Sequence, residues 1–496
     1  MFGQIKQSCE KFPDRNAFCI SNTYYTYSQL AQKISNIRYA LEQKNKEQLI
    51  GVIINDDIET YASIFGILFS GSGFVPINPR NPVDRNVVII KESGVKIILS
   101  GKTDERIDEI KTKSPVRFLF TNNLPDVEIN LSLPQTYEED NAYLFFTSGS
   151  TGVPKGVPIS HKNLNSFVDA FFNLSYQIGE HDRFLQMFDL TFDLSLMSYI
   201  IPLGTGACVY TVNPDEIKYT AVYSLLEEKE ITFALMVPSI LSYLKPYFED
   251  IKLEKMKYSL FCGEALHSDI TKEWAACVPN ALIQNVYGPT EATIFCLTYD
   301  WDRKRPNKEF NGIVCIGKPM KDMHAIIVDD NLNLLPEGEK GELCLAGNQV
   351  TAGYWNNPEK NKEAFLTCET DDKEQNFYRT GDIAFVDKDG DFMYCGRVDQ
   401  QVQIQGFRVE LSEIEHYVRQ HTGLNNVAVI AYTNNIGNTE IHLFVENYQG
   451  AMDDITEHLK SKVPEYMLPS EITSLPAFPF NVNGKIDMKA LSDKLQ

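Results

Sequence analysis

The sequence predicts an α/β protein in which a large N-terminal domain of several subdomains precedes a small α+β domain. Over the first three-fifths of the 496 residues, apolar runs bounded by turn residues alternate with segments of helical spacing, which is typical of an α/β core. Beyond Phe310 the pattern changes to short strands and turns, and a separate small α/β unit follows from Leu411. The length alone also indicates more than one domain.

Particular segments carry this prediction. Buried strands are predicted for the apolar runs LIGVIIND, FVPINPR, VKIILSG, AYLFFTSGS and YSLFCGEAL. Helical spacing covers residues 26–43, 61–71 and 160–172, and Ser160 is the predicted N-cap of the last segment. Farther along, HAIIVDD, GELCLAG and IAFVDKDGDFMYCG predict strands, with a hairpin turn at Lys388-Asp389-Gly390. In the small unit, LSEIEHYVRQH predicts a capped helix beside the strands NVAVIAYT and TEIHLFVEN.

Composition argues against several classes of function. The chain has 46 Lys and Arg against 67 Asp and Glu, and this net charge of −21 argues against a nucleic-acid partner. The N-terminus lacks an apolar core of signal-peptide length, and the apolar runs are interrupted well short of a membrane span. The ten cysteines form no CxxC pair, so we expect them to be reduced and most of them buried. The sequence therefore predicts a soluble, cytoplasmic enzyme without membrane insertion.

A loop of glycine and hydroxyl residues follows the run AYLFF and spans residues 147–156. Glycine lets the backbone approach a ligand closely, so such a loop can present N–H groups and hydroxyl donors to a polyphosphate. The nucleoside-triphosphatase pattern GxxxxGK(S/T) is absent, because Pro154 stands at its second glycine. The candidate phosphate ligands are Thr147, Ser148, Gly149, Ser150, Thr151, Gly152 and Lys155.

The run YLFFTSGSTGVPKGVPISHKNL resembles the phosphate-loop motif of the adenylate-forming enzyme superfamily, which includes acyl-CoA synthetases, luciferases and peptide-synthetase adenylation domains. Further motifs occur in the family's order: YTYSQL, GFVPINPRNPVDR, FDLSLM, NVYGPTEAT, GELCLAG, YRTGD, GRVDQQVQIQGFRVELSEIE and NVNGKID. The resemblance covers essentially the whole chain, and free-standing D-alanine:carrier-protein ligases are the branch it resembles most. It implies an adenylation domain over residues 1–398 and a mobile lid domain over residues 399–496 that swings between an adenylation pose and a thioester-forming pose.

The resemblance also implies a nucleotide site for ATP and Mg²⁺. In NVYGPTEAT it places Tyr287 against the adenine, Thr290 at the phosphates and Glu291 on Mg²⁺, which takes hard oxygen ligands. Asp382 of YRTGD is expected to accept hydrogen bonds from the ribose hydroxyls, and Arg397 is expected near the ribose or phosphate. The remaining nucleotide-site residues that the resemblance implies are Gly263, Glu264, Asn285 and Gly288.

Lys485 of NGKID resembles the family lysine that reaches from the mobile domain to the attacking carboxylate and the α-phosphate. A cation placed where anions are brought together lowers the barrier, so no general base is required. Thr147 and Glu291 complete the implied catalytic residues. Asp399 of GRVDQQ falls at the hinge position, where a few residues absorb the dihedral change of the domain movement.

Asp193 of FDLSLM matches the aspartate with which amino-acid-activating members bind the substrate ammonium. A carboxylate beside an apolar pocket is costly unless paired, so it should reject acids that lack the amine. The implied pocket is apolar, which favours a small side chain, and consists of Leu194, Met197, Leu235, Leu260, Cys262, Val286, Ile294 and Phe295. Cys262 resembles the cysteine that D-alanine ligases place against the small side chain, whereas the bulk of Phe295 favours glycine. D-alanine is favoured, and glycine, L-alanine and L-serine stay open because one methyl group carries only about 1 to 3 kcal/mol of discrimination.

The thiol acceptor is expected to be a separate carrier protein, because the sequence has no LGGxS phosphopantetheine site; coenzyme A is the competing thiol. Gln403 and Gln405 stand where the family usually has basic residues, and this departure bears on the thioester-forming pose more than on adenylation. Two rival hypotheses remain. Asp193 argues against an acyl- or aryl-CoA synthetase, and the intact phosphate, ribose and lysine motifs argue against a silent nucleotide-binding homologue.

Overall fold

The computed structural model describes residues 1–44, 47–134, 138–149, 154–370, 373–399, 401–480 and 486–495. The larger part of the molecule runs from residue 1 to residue 399. Its helices are α1 (Phe2–Lys11), α2 (Tyr27–Glu42), α3 (Ile58–Phe69), α4 (Val83–Ser93), α5 (Glu105–Lys113), α6 (His161–Asn173), α7 (Leu194–Thr205), α8 (Lys218–Glu228), α9 (Ser239–Leu244), α10 (Ser268–Cys277) and α11 (Pro358–Ala364).

The strands of this larger part are β1 (Asn16–Ile20), β2 (Thr23–Thr26), β3 (Leu49–Ile53), β4 (Gly73–Ile77), β5 (Ile97–Ser100), β6 (Arg117–Phe120), β7 (Asn141–Thr147), β8 (Lys155–Ser160), β9 (Arg183–Gln186), β10 (Cys208–Thr211), β11 (Phe233–Met236), β12 (Tyr258–Phe261), β13 (Leu282–Tyr287), β14 (Leu297–Trp301), β15 (Glu309–Phe310), β16 (Ile313–Val314), β17 (Lys318–Pro319), β18 (Met323–Val328), β19 (Gly341–Gly347), β20 (Phe365–Thr370), β21 (Lys373–Val386) and β22 (Phe392–Arg397).

Two mixed sheets form its main layers. One has the strand order β17-β14-β13-β12-β11-β9-β10-β1-β2 and is parallel from β13 to β1; the other has the order β6-β5-β3-β4-β7-β8 and is antiparallel only at β8. Strands β3 and β4 are buried at every residue, as expected for parallel strands covered on both faces. The five apolar runs predicted as strands correspond to β3, β4, β5, β7 and β12, so that prediction is confirmed.

Local capping chemistry sets the start of two long helices. The Thr26 hydroxyl accepts from the Gln29 N–H at the start of α2, and Ser160 makes the same bond to Asn163 at the start of α6. In both helices the third residue returns a bond to the cap backbone, which completes a capping box. The N-cap predicted at Ser160 is therefore confirmed.

A third sheet, in the order β18-β19-β21-β20 with β22 paired to β21, follows the two main sheets. The hairpin predicted at residues 388–390 joins β21 to β22, and the Gly390 N–H donates to the Asp387 carbonyl at 2.9 Å. Within the described residues, no helix combines the length and the apolar character that a membrane crossing requires.

The small C-terminal unit has its own apolar core. Its elements are β23 (Gln401–Ile404), β24 (Phe407–Glu410), α12 (Leu411–Thr422), β25 (Val427–Thr433), β26 (Thr439–Glu446), α13 (Met452–Lys460), β27 (Glu471–Leu475) and α14 (Met488–Ser492). Val409, Ile414 and Leu443 are completely buried within it. Helix α12 has no side-chain N-cap, and Gly423 ends it in the left-handed conformation. The separate core fits the predicted second domain, and the boundary at residue 399 stays a prediction.

The hairpin of β23 and β24 carries the small unit into contact with the larger part. Its two turn residues, Gln405 and Gly406, have φ values of 51° and 86°, as in the primed turns that suit tight hairpins. A Cβ atom on Gly406 would lie 2.5 Å from the Val237 side chain, so glycine also permits the close approach. The hairpin tip therefore lies directly against the larger part of the molecule.

Candidate active site

The predicted site residues gather at the carboxyl ends of β7, β12 and β13. Thr147 ends β7, Cys262 follows β12 and Tyr287 ends β13. In α/β proteins, ligands bind in the crevice at this edge of the parallel strands. Strands β21 and β22 and the hairpin of β23 and β24 close the crevice, so that one site receives residues from four sheets.

A cavity of about 90 Å³ lies where the nucleoside is predicted to bind. Burial raises the pKa of the Asp382 carboxyl, and the neighbouring Arg397 charge opposes that rise. Arg397 Nη1 donates to Asp382 at 2.6 Å, and the Tyr287 hydroxyl also donates to this carboxylate. Arg397 binds the predicted hinge residue Asp399 as well, at 2.7 and 2.9 Å. The predicted residues that line the cavity are Gly263, Glu264, Asn285, Tyr287, Gly288, Asp382 and Arg397.

Partners from the small unit bind three of the predicted phosphate ligands, Ser148, Gly149 and Lys155. The Ser148 hydroxyl donates to the Arg408 carbonyl at 2.8 Å, and the Gly149 N–H donates to Glu413 at 3.3 Å. Lys155 Nζ lies 3.3 Å from Glu410. Burial, helped by the nearby Arg408 charge, lowers the pKa of Lys155.

The hydroxyl of Thr147 is buried and has no hydrogen-bond partner among the residues that the structure describes. A buried donor without a partner is expensive, so a ligand atom is a natural partner for it.

Glu291, the predicted Mg²⁺ ligand, is completely buried and accepts hydrogen bonds from Arg408 and Tyr354. Arg408 Nη1 lies 3.1 and 3.3 Å from its two oxygens, and the Tyr354 hydroxyl donates to Oε1 at 2.6 Å. Burial alone would raise the pKa of Glu291, but the Arg408 guanidinium and the Tyr354 hydroxyl outweigh it and hold the pKa low. Among the described residues, no cluster of three or more metal-ligating side chains occurs. A lone ionised carboxylate fits Mg²⁺, which takes its other oxygens from phosphates and water.

Asp193 lies directly before α7. Only 2% of it is exposed, and burial raises its pKa to about 7. It occupies the N-cap position of α7 but makes no capping bond to that helix. Its carboxylate instead accepts the Ile294 N–H at 3.2 Å. Asp193 is therefore a buried acidic group that does not serve as a side-chain cap of α7.

The Ile294 N–H group that donates to Asp193 lies in a strained turn. Thr293 and Ile294 have φ values of 56° and 72°, which β-branched residues rarely adopt. The Thr293 hydroxyl donates to the Gln349 carbonyl at 2.5 Å and ties the turn down. Strain of this kind persists only where the surrounding structure imposes it, and it concentrates at functional sites.

The apolar residues predicted around Asp193 are all buried. They are Leu194, Met197, Leu235, Leu260, Cys262, Val286, Ile294 and Phe295, each at 2% exposure or less. The Phe295 ring packs edge-on against Phe167, with ring centres 5.1 Å apart, so the core holds this wall in place. Burial, and secondarily the Asp193 charge, raises the pKa of the Cys262 thiol, which is therefore a packing group and not a nucleophile.

The hairpin tip contacts the residues that follow β12. The Gly406 N–H donates to Glu264 at 2.9 Å, and the same carboxylate accepts from the Ser239 N–H at 2.7 Å. With its amide oriented by its hydrogen-bond partners, Gln403 donates to the Gly263 carbonyl at 3.1 Å. A neutral amide thus stands in this wall of the site, where the family pattern has a basic residue.

Several predicted residues lie outside the described part of the chain, namely Ser150, Thr151, Gly152 and Lys485. Sequence reasoning also missed residues that the structure brings into the site. Arg408, Glu410 and Glu413 reach it from β24 and α12, and Tyr354 reaches it from the loop before α11. The signal for the first three was their position in GFRVELSEIE, directly after the hairpin.

Comparisons with known proteins agree with this fold. The chain matches the family described as AMP-binding enzyme over residues 5–355. It is 32% identical to Zwittermicin A synthase ZmaJ of Bacillus cereus over 98% of its length and 94% of that protein. It is also 32% identical to Tyrocidine synthase 1 of Brevibacillus parabrevis, but it spans only 44% of that protein. The chain is 31% identical to Bacitracin synthase 3 of Bacillus licheniformis and spans 8% of that protein.

Two solved structures share the fold. The Vibrio cholerae adenylation domain AlmE, in complex with glycyl-adenosine-5'-phosphate, aligns with a TM-score of 0.89 and 24% identity over 99% of this chain and 97% of that one. NpsA-ThdA of Klebsiella oxytoca, an artificially fused Adenylation-PCP di-domain NRPS, aligns with a TM-score of 0.83 and 23% identity over 95% and 93%. The chain therefore belongs to the AMP-binding enzyme family. The predicted fold and enzyme class are confirmed, and the placement beside D-alanine ligases stays a prediction.

Proposed function

We propose that this protein activates a small amino acid as its adenylate with ATP and passes the aminoacyl group to the phosphopantetheine thiol of a separate carrier protein. The observation that carries the proposal is Asp193, a buried carboxylate that accepts a backbone N–H and has no cationic partner among the described residues. A substrate ammonium is the ion that balances this carboxylate at lowest cost. Acids without an amine leave it unpaired.

The first step joins the amino acid to AMP. A carboxylate oxygen of the amino acid attacks the α-phosphorus of ATP, the bond to the bridging oxygen of pyrophosphate breaks, and pyrophosphate leaves. Both reactants are anionic, so the protein must supply positive charge and hydrogen-bond donors. Lys155 and the Thr147 hydroxyl are suited to the phosphates, and we assign Lys485 to the reacting carboxylate and α-phosphate. Asp382 is suited to the ribose diol.

Glu291 is the residue that would hold Mg²⁺. The ion supplies charge neutralisation for the triphosphate and a template for its oxygens. Glu291 is ionised, fully buried and already balanced by a cation, the Arg408 guanidinium, in this pose. The pairing of this carboxylate with a guanidinium supports Glu291 as a residue that binds a cation.

The second step breaks the adenylate. The carrier thiolate attacks the carbonyl carbon, the bond to the phosphate oxygen breaks, and AMP leaves. A cavity of about 440 Å³ between the two parts of the molecule is the candidate path for the thiol. Gln405, Phe407 and Tyr466 line it from the small unit. The Phe407 ring stacks on Tyr466 at 3.9 Å and lies 5.6 Å from Phe192, which directly precedes Asp193.

The contacts of the small unit support a thioester-forming pose. Glu410 pairs with Lys155, and Glu413 pairs with Arg85 at 2.7 Å in a contact where both side chains are almost fully buried. Because Glu410 binds a cation that a triphosphate needs, the pose suits the state after pyrophosphate has left. The NpsA-ThdA structure, described as an Adenylation-PCP di-domain, supports a carrier protein as the partner.

D-alanine is the favoured substrate, with glycine as the nearest alternative. The rigid Phe295 wall and the apolar lining leave no partner for a polar side chain, and the Cys262 thiol is small enough to face a methyl group. We place the reaction in the cytoplasm, in keeping with the absence of disulfide bonds among the described cysteines.

ATP–pyrophosphate exchange with glycine, D-alanine, L-alanine, L-serine, acetate and propionate tests the proposal. Exchange is expected with one or two of the amino acids and with neither unaminated acid. Stimulation by propionate or acetate alone would make the protein an acyl-activating enzyme. Absence of exchange with every acid would instead favour the silent nucleotide-binding homologue. Thioester formation from the preferred amino acid, with a phosphopantetheinylated carrier against coenzyme A, then identifies the acceptor.

A further inference from the structure

Tyr354 lies on the loop between β19 and α11 and touches both halves of the predicted phosphate site. Its hydroxyl donates to Glu291 Oε1 at 2.6 Å, and Lys155 Nζ lies 5.6 Å above its ring. Only 5% of the residue is exposed. A buried phenol that donates to a buried carboxylate forms a charge-assisted bond, which is short and directional. Tyr354 belongs to none of the sequence motifs described above.

The loop that carries Tyr354 is firmly held. The Tyr354 N–H donates to the Asn361 side chain at 2.7 Å, and the Trp355 N–H donates to the Gly156 carbonyl at 2.8 Å. The Thr351 N–H donates to the Glu291 carbonyl at 2.8 Å. The loop is therefore tied both to the strand after the phosphate loop and to Glu291 itself.

Among the described residues, the side chains that hydrogen-bond Glu291 belong to different parts of the molecule. Arg408 lies in the small unit, on β24, whereas Tyr354 lies in the larger part, as Glu291 does. The proposed function requires the small unit to move so that a triphosphate can enter, and Arg408 then leaves while Tyr354 remains. The Tyr354 hydroxyl occupies Oε1, so the other oxygen, Oε2, is the one that is left to accept a cation.

We propose that Tyr354 is a positioning residue for the metal–triphosphate site: its hydroxyl fixes the Glu291 carboxylate so that Oε2 faces the metal, and its ring supports Lys155. The inference rests on the proposed function, because it assumes that Glu291 binds Mg²⁺. Tyr354 acts through Glu291 and need not touch substrate. Outer groups that orient a metal-binding carboxylate typically change metal affinity by about 10- to 100-fold when removed.

The test is calorimetric binding of α,β-methylene-ATP to the full chain at a series of Mg²⁺ concentrations, with AMP binding measured in parallel. For Tyr354→Phe, the Mg²⁺ concentration that half-saturates analogue binding is expected to rise about 10-fold or more, while AMP binding stays at the wild-type level. Tyr27→Phe is the matched control, because it removes another buried phenol bond of 2.7 Å, to the Ala207 carbonyl. It is expected to keep the wild-type Mg²⁺ dependence.

A double-mutant cycle separates positioning from general damage. In a Glu291→Gln background, Tyr354→Phe is expected to cause no further change in Mg²⁺ dependence, because its effect passes through the carboxylate. Wild-type Mg²⁺ dependence in Tyr354→Phe, or an equal shift in both backgrounds, would overturn the inference. If Tyr354→Phe fails to fold, Asn361→Ala provides the second variant, with a smaller shift expected in the same direction. If the wild-type protein binds the analogue without any Mg²⁺ dependence, the proposed function itself fails at Glu291.

Discussion

The two ends of the candidate site are built in different ways. At the proposed amine end, Asp193, the Ile294 N–H and the buried apolar side chains all come from the larger part of the molecule. At the proposed phosphate end, Lys155 and the Gly149 N–H are paired with side chains of the small unit, Glu410 and Glu413. The amine end is therefore complete before any movement, whereas the phosphate end depends on where the small unit lies. Under the proposed function, substrate selection and progress through the reaction are therefore assigned to separate sets of residues.

Lys485→Ala gives the largest expected effect and tests whether the phosphate end is completed by the small unit. Adenylation, followed by pyrophosphate exchange, is expected to fall by about 10²-fold or more, the scale for losing one preorganised electrostatic contact. Transfer to the carrier from a preformed adenylate is expected to stay near the wild-type rate. An equal loss in both half-reactions would contradict a role confined to the first step.

Asp193→Asn tests the amine end. The amide keeps the shape of the side chain but removes the charge, so the bond to the substrate ammonium weakens by about 1.5 to 3 kcal/mol. This corresponds to a loss in kcat/KM of about 10- to 100-fold. The measurement is exchange with the preferred amino acid, and AMP binding serves as the control because it depends on the other end of the site. A wild-type kcat/KM would remove Asp193 from substrate recognition.

The pH dependence of KM sharpens the same assignment. The pKa of Asp193 is about 7 in the free protein because of burial, so the carboxyl is largely protonated below that pH. Binding of the ammonium requires the carboxylate, and KM for the amino acid is therefore expected to rise by about tenfold for each pH unit below the pKa. KM above that pH is expected to be flat. Asp193→Asn should abolish the slope, and a slope that persists in the variant would assign it to another group.

Glu410→Gln tests the ion pair between Glu410 of the small unit and Lys155 of the larger part, and it has the smallest expected effect. Loss of the pair with Lys155 weakens the observed pose by about 1 kcal/mol, or about fivefold in population. Transfer to the carrier is expected to slow by that factor, and affinity for Mg·ATP is expected to rise. Separate measurements of the two half-reactions check that transfer to the carrier slows while affinity for Mg·ATP rises. A parallel fall in both would indicate a folding defect instead.

Sequence reasoning correctly predicted features that depend on local pattern. The buried runs of β3 and β4 and the Ser160 cap are visible in the order of residues. The assignment of Asp193 to the substrate amine stays a prediction. Local pattern argues against the left-handed conformation of Thr293 and Ile294, because only the surrounding structure imposes it.

The phosphate end was less accessible to sequence reasoning for another reason. Its pairs join residues far apart in the chain, as in Lys155 with Glu410, which are 255 positions apart. No spacing rule connects such residues, and their contact depends on the pose of a separate unit. The contact of Tyr354 with Glu291, across 63 positions, is of the same kind.

The most direct test is a crystal structure of the protein with Mg²⁺, α,β-methylene-ATP and the preferred amino acid. We predict that the Asp193 carboxylate keeps its bond to the Ile294 N–H and gains the substrate ammonium. We also predict that Arg408 leaves Glu291 and that Lys155 exchanges Glu410 for the triphosphate. A triphosphate bound with Arg408 still on Glu291, or an ammonium bound away from Asp193, would contradict these expectations.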